Sequence, residues 1–158
     1  MSTLSVLLVE DNEIDAEITK RVIAKAGIAV NLQVARDGEE ALEILLQPPG
    51  DGNQRERPRL VLLDLRLPGI DGREILRRIK HHAELCVIPV AVLTGVSDNR
   101  MMMECLELGG NMYFVKPITE SEAANFLPAI SKYWGVMEKL QARNDWRGEP
   151  DERAAGGR

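Results

Sequence analysis

The run Leu60-Val61-Leu62-Leu63 passes straight into Asp64 with no polar alternation. Three other apolar runs end in the same way. Leu4 to Val9 (LSVLLV) meets Glu10-Asp11, Ile88 to Leu93 (IPVAVL) meets Thr94-Gly95, and Met112 to Val115 meets Lys116-Pro117. If these runs lie side by side in one sheet, three carboxylates, a hydroxyl and an ammonium share one edge. Crowded carboxylates repel each other and need a cation or protons. Oxygen donors without His or Cys suit a hard divalent ion, Mg²⁺ above all. Such an ion keeps positions for water and phosphate oxygens, and a hydroxyl and an ammonium are good partners for phosphate. Asp64 is then a candidate nucleophile that forms an acyl phosphate, in a site organised for phosphoryl transfer by metal and positive charge. Each residue also has a plain reading: Asp64 as a strand terminator, Glu10-Asp11 as a helix cap, Thr94 as a turn residue, Lys116 as a solvated lysine. Their successive placement after strand ends favours the site.

These groups need elements that hold them. A continuous apolar run suits a strand buried on both faces of a parallel sheet. After Asp64, Pro68-Gly69 and Asp71-Gly72 break the chain into a tight loop. Val30 to Val34 reads as a further short strand. Between strands, Asp11 or Asn12 caps a helix with Ile14, Ile18, Val22 and Ala26 at intervals of four. Asp37-Gly38 opens one with Ala41, Leu42, Leu45 and Leu46 inward, and Gly72 one with Ile75, Leu76 and Ile79 inward. Ser97 or Asp98 caps one through Met102, Cys105 and Leu106. The last has a Thr119/Glu122 capping box and a stripe of Ala123, Phe126, Leu127, Ile130, Trp134 and Met137. Pro128 within that stripe predicts a kink or two shorter helices. Five strands alternating with five helices predict an α/β fold: a doubly wound, flavodoxin-like parallel sheet in the order 2-1-3-4-5, with right-handed crossovers.

The 158 residues suggest one domain, expected over 1–140, with a polar and disordered tail over 141–158. A net charge of -5 disfavours broad binding to nucleic acid. No apolar run approaches membrane-spanning length and no signal peptide is recognised. Cys86 and Cys105 lack metal spacing and read as reduced, semi-buried thiols of a cytoplasmic protein. Pro48 to Pro58 reads as an exposed polar loop. His81-His82 read as solvated, and Tyr133 and Trp134 as packing residues.

At Glu10-Asp11, Asp64, Pro68-Gly69-Ile70-Asp71-Gly72, Thr94 and Lys116-Pro117 the chain resembles the receiver domains of two-component response regulators. The likeness spans about Leu4 to Trp134. It implies that Asp64 accepts a phosphoryl group from a sensor histidine kinase. It implies Mg²⁺ on Asp11, Asp64 and the backbone carbonyl of Arg66, with Glu10 acting through water. Thr94 and Lys116 would contact the phosphate, Tyr113 would be the aromatic whose rotamer follows Thr94, and the Lys116-Pro117 bond would be cis. Gly95 stands where many relatives carry alanine. Arg66, a large cation two residues past the phosphoacceptor, could shield or pair with the phosphate. The LLDLRLPGIDGREIL segment, the polar loop before it and Tyr133-Trp134 look more narrowly like the stand-alone receivers that serve bacterial phytochromes.

The expected function is a phosphorylatable switch without an output domain. Its signal leaves through the surface of the fourth helix, fifth strand and fifth helix, by partner binding, by a homodimer, or by passing phosphate to a phosphotransfer protein. It is expected not to be an enzyme beyond self-catalysed phosphorylation and dephosphorylation. An aspartyl phosphatase would place an acid two positions after the nucleophile, where Arg66 stands. A flavin carrier would need a phosphate loop after the first strand, where Glu10-Asp11 repel phosphate. A receiver-like adaptor that never carries phosphate is the remaining alternative.

Overall fold

The computed structural model describes residues 3–48, 57–95 and 98–146. The strands β1 (Leu4–Val9), β2 (Val30–Ala35), β3 (Leu60–Asp64), β4 (Val90–Thr94) and β5 (Met112–Val115) form one parallel sheet ordered β2-β1-β3-β4-β5. They alternate with α1 (Glu13–Ala24), α2 (Gly38–Leu46), α3 (Gly72–His81), α4 (Asn99–Glu107) and α5 (Glu120–Trp146). This is the expected doubly wound, flavodoxin-like architecture.

Period-2 alternation divides each apolar run between two cores. Leu7, Val9, Val61, Leu63, Val90 and Val92 face Ala41 and Leu45 of α2, Ile75, Leu76 and Ile79 of α3 and Cys105 of α4. Val6, Leu8, Leu60, Leu62, Ala91 and Leu93 face Ala16 and Ile23 of α1 and Phe126, Leu127 and Ile130 of α5. Both faces are therefore covered, and β3 and β4 are buried along their whole length.

Several helical expectations are corrected. The face that α1 buries is Ala16, Thr19 and Ile23, while Ile14 is 72% exposed and Ile18 also faces out. Val22 and Ala26 only border the core. An interval of four drifts around a helix of about 3.6 residues per turn, so Ile14, Ile18, Val22 and Ala26 cannot all face the sheet. Leu46 is exposed rather than inward, one position round the helix from the buried Leu45, and Leu106 is exposed beside the buried Cys105. Cys86 is exposed rather than semi-buried, being in the loop after α3, whereas Cys105 is buried. That burial pushes the Cys105 thiol pKa up.

Pro128 lies inside a single helix instead of dividing it. Ala123 and Leu127 before it and Ile130 after it pack in the same core, which keeps the helix continuous through the missing N–H. The Thr119/Glu122 capping box forms as expected, with both reciprocal backbone bonds at 3.0 Å. The helix runs on to Trp146, past the start of the polar tail expected from residue 141. Trp134 fastens it, as its Nε1 donates to the Arg59 carbonyl at 2.7 Å. His82 is not merely solvated: its Nδ1 accepts the N–H groups of Glu84 and Leu85 at 3.1 and 3.2 Å. The cap before α4 is Asp98. Ser97, residues 49–56 of the polar loop and the tail from residue 147 lie outside the described residues.

Gly72 decides how closely α3 approaches the end of β3. A Cβ there would sit 2.6 Å from Leu65 Cα and 2.7 Å from the Asp64 carbonyl oxygen, both backbone atoms that cannot rotate aside. Gly72→Ala should therefore destabilise the protein by about 1–3 kcal/mol, as overpacking does. A urea titration would read this as a lower midpoint at unchanged slope. An unmoved midpoint would contradict the close approach.

Candidate functional site

All five strands are parallel, so their C-terminal ends share one edge of the sheet. α1 leaves β1 over one face and α3 leaves β3 over the other, as their separate cores show. The chain thus opens a crevice between two adjacent strand ends, where ligands of such sheets bind. Glu10-Asp11 and Asp64 stand at its two sides.

Glu10, Asp11 and Asp64 each contribute a carboxylate oxygen to a cluster whose atoms lie within 4.8 Å of one another. Glu10 and Asp64 are buried and Asp11 is exposed. Asp64 Oδ1 accepts the Arg66 N–H at 2.9 Å, and Glu10 Oε2 accepts the Asn12 N–H at 3.3 Å. The Lys116 ammonium reaches in from the end of β5. Its Nζ lies 2.9 Å from Asp64 Oδ2, 3.0 Å from Glu10 Oε1 and 2.9 Å from Asp15 Oδ2. The Lys116 backbone N–H donates to the Thr94 carbonyl at 2.7 Å, and the following Lys116-Pro117 bond is cis.

The electrostatics follow from burial. Removal from water, then the hydrogen bond with Asp64, push the Glu10 carboxyl up to about 7, against the opposing pull of Lys116. Burial lowers the Lys116 pKa, but bonds to Asp15, Asp64 and Glu10 outweigh it and hold the ammonium above its ordinary value. One ammonium thus balances two buried carboxylates and a half-exposed one. The site has more negative than positive charge and room for a further cation. Its donors are all oxygen, which suits Mg²⁺ or Mn²⁺.

The other expected residues sit nearby. Thr94 is buried at the end of β4, and its neighbour Leu93 pairs with Asp64. Tyr113 pairs with Val92, two residues before Thr94, which sets Tyr113 and Thr94 on one face of the sheet. The Arg66 side chain is exposed on the loop after Asp64. In that loop Gly69 takes φ 75°, a left-handed conformation suited to glycine. His81 and His82 belong to the opposite end of α3 and take no part.

Asp15 was not anticipated. It lies in the first turn of α1, three residues after the cap Asn12, and its N–H donates to Asn12 Oδ1 at 3.0 Å. The available signal was its position in the first turn of the helix that follows Glu10-Asp11, which starts at the same strand end.

A profile described as the response regulator receiver domain matches residues 6–127. The probable methanogenesis regulatory protein FilR2 of Methanothrix harundinacea is 37% identical over 129 residues, 82% of each chain. Response regulator Rcp1 of Synechocystis is 36% identical over 129 residues, 82% of this chain and 87% of Rcp1. The Mn²⁺-bound form of Rcp1 superimposes with a TM-score of 0.66 at 35% identity, covering 83% of this chain and 94% of that one. The bacteriophytochrome response regulator AtBRR gives a TM-score of 0.70 at 35% identity, covering 86% of this chain and 95% of its own. The matched profile and the sheet order β2-β1-β3-β4-β5 with its five helices are therefore those of a CheY-like receiver, and this chain belongs to the response regulator receiver domain family.

Proposed function

We propose that Asp64 accepts a phosphoryl group from the phosphohistidine of a sensor histidine kinase. The observation that carries this reading is the convergence of the Lys116 ammonium, 2.9 Å from Asp64 Oδ2, with the acidic cluster of Glu10, Asp11 and Asp64. A carboxylate oxygen of Asp64 attacks phosphorus, the phosphorus–nitrogen bond breaks, and the leaving imidazole takes up a proton. Lys116 and Thr94 would hold the phosphoryl oxygens. Asp11, Asp64 and the Arg66 backbone carbonyl would hold Mg²⁺, with Glu10 acting through water. When bound, the ion would offset the carboxylate charge and draw phosphoryl oxygens into line. The reacting chain is a phosphoacceptor rather than a turnover enzyme.

The signal would leave through the α4-β5-α5 surface, which carries exposed Met103 and Leu106 on α4 and Val115 on β5. Tyr113, on the same sheet face as Thr94, would link the phosphorylated site to that surface. Homodimerisation, a downstream partner or a phosphotransfer protein would read the change. The similarity to the bacteriophytochrome response regulator AtBRR supports a phytochrome-linked kinase as the donor. Among the described residues no helix is long and apolar enough to cross a membrane.

Acetyl phosphate with Mg²⁺ should add one phosphoryl group by intact mass, and EDTA should prevent the gain. No gain in folded protein, either from acetyl phosphate or from a cognate kinase, would leave the phosphate-independent adaptor as the reading.

A further inference from the structure

Lys116 makes one contact more than the phosphoacceptor site requires. An ammonium has three N–H donors. Here Glu10, Asp15 and Asp64 lie at 3.0, 2.9 and 2.9 Å from Nζ, so three carboxylates account for all three. The inference rests on the reading that Asp64 is phosphorylated. A phosphoryl group on Asp64 turns its carboxylate into a neutral acyl oxygen and brings several charged terminal oxygens that need donors, so Lys116 must turn from its carboxylates toward the phosphate. It must release a partner. Of the two partners that remain carboxylates, Glu10 has a side chain 0% exposed, and stripping a buried carboxylate of its cation is costly. The Asp15 side chain is 36% exposed and sits in the first turn of α1, where water and the helix N-terminus both favour its charge.

We propose that Asp15 is a positioning residue that competes with the phosphoryl group for Lys116. It occupies the third donor of the ammonium in the unphosphorylated protein and is the partner displaced on phosphorylation. Glu10 and Asp64 suffice to keep Lys116 in place, so Asp15 restrains phosphorylation and is not needed for it. Its carboxylate also adds negative charge beside an incoming phosphate that is itself negative.

The test compares Asp15→Asn with wild type at saturating Mg²⁺, following the gain of mass from acetyl phosphate over time. The near-isosteric amide should load about three- to tenfold faster, the effect of releasing one charge-assisted contact. An unchanged or slower rate overturns the proposal. The same substitution is then made in a Lys116→Ala background. If Asp15 acts through Lys116, it should there have no effect. An equal acceleration would mean bulk charge repulsion alone, and would overturn the competition. A second readout needs no phosphorylation. The Lys116 ¹⁵Nζ ammonium signal should exchange its hydrogens severalfold faster with water in Asp15→Asn, and unchanged exchange overturns the proposal. Failure of wild type and variant alike to gain mass, with faster ammonium exchange in the variant, would instead count against Asp64 as phosphoacceptor.

Discussion

Asp64→Asn is expected to take up no phosphoryl group from acetyl phosphate or from a kinase. The amide keeps the size of the side chain and an oxygen for the Arg66 N–H, which Asp64 Oδ1 accepts at 2.9 Å. It loses the nucleophilic oxygen and the charge. A lone pair delocalised into an amide does not attack phosphorus at a useful rate, so the loss should be complete by intact mass. A second consequence separates this variant from a merely damaged one. Asp64 is among the groups that raise the Glu10 pKa, through its hydrogen bond and its charge. In Asp64→Asn, Glu10 should therefore titrate closer to an ordinary carboxylate, readable by ¹³C NMR of its carboxyl carbon. Uptake of phosphate by the variant would move the phosphoacceptor elsewhere.

Mg²⁺ affinity should rise steeply with pH up to about 7 and level off above it. With the Glu10 carboxyl pushed up to about 7 by burial and by Asp64, a proton competes with a cation in the acidic cluster. Below that value each unit of pH should weaken binding by up to about tenfold, and binding should release close to one proton. Calorimetry in buffers of different ionisation enthalpy counts that proton. The same shift acts on stability without added metal. The folded protein holds the Glu10 proton more tightly than the unfolded chain, whose value is near 4.5. Unfolding therefore releases protons between those limits, and stability must fall as pH rises from about 4.5 through 7. The contribution is on the order of 2–3 kcal/mol for this buried group. Glu10→Gln should flatten both profiles, and profiles that stay steep would place the titrating group elsewhere.

The sequence by itself determined the topology and which side chains gather at one edge of the sheet. Continuous apolar runs ending in Glu10-Asp11, Asp64, Thr94 and Lys116 have few alternatives to a parallel sheet, because only strands covered on both faces dispense with polar alternation. Parallel strands send all their C-terminal ends to one edge, so residue order along the chain was enough to predict which side chains gather. Helix orientation was less legible. An interval of four favoured Ile14 and Ile18 on α1, yet Ala16, Thr19 and Ile23 are buried, since that interval drifts around the helix and the contacts with the sheet choose the face. Pro128 likewise reads locally as a break, but packing on both sides of it keeps α5 continuous.

Tertiary structure alone decided how the charges are shared. That Asp15 is a third partner of Lys116 depends on how α1 lies across the sheet, which sets two residues 101 apart within 2.9 Å. That Glu10 titrates near 7 depends on its being enclosed beside Asp64. Neither is a property of a motif. Desolvation and charge sharing are sums over neighbours from β1, β3, β5 and α1, and those neighbours exist only once the chain has closed around them.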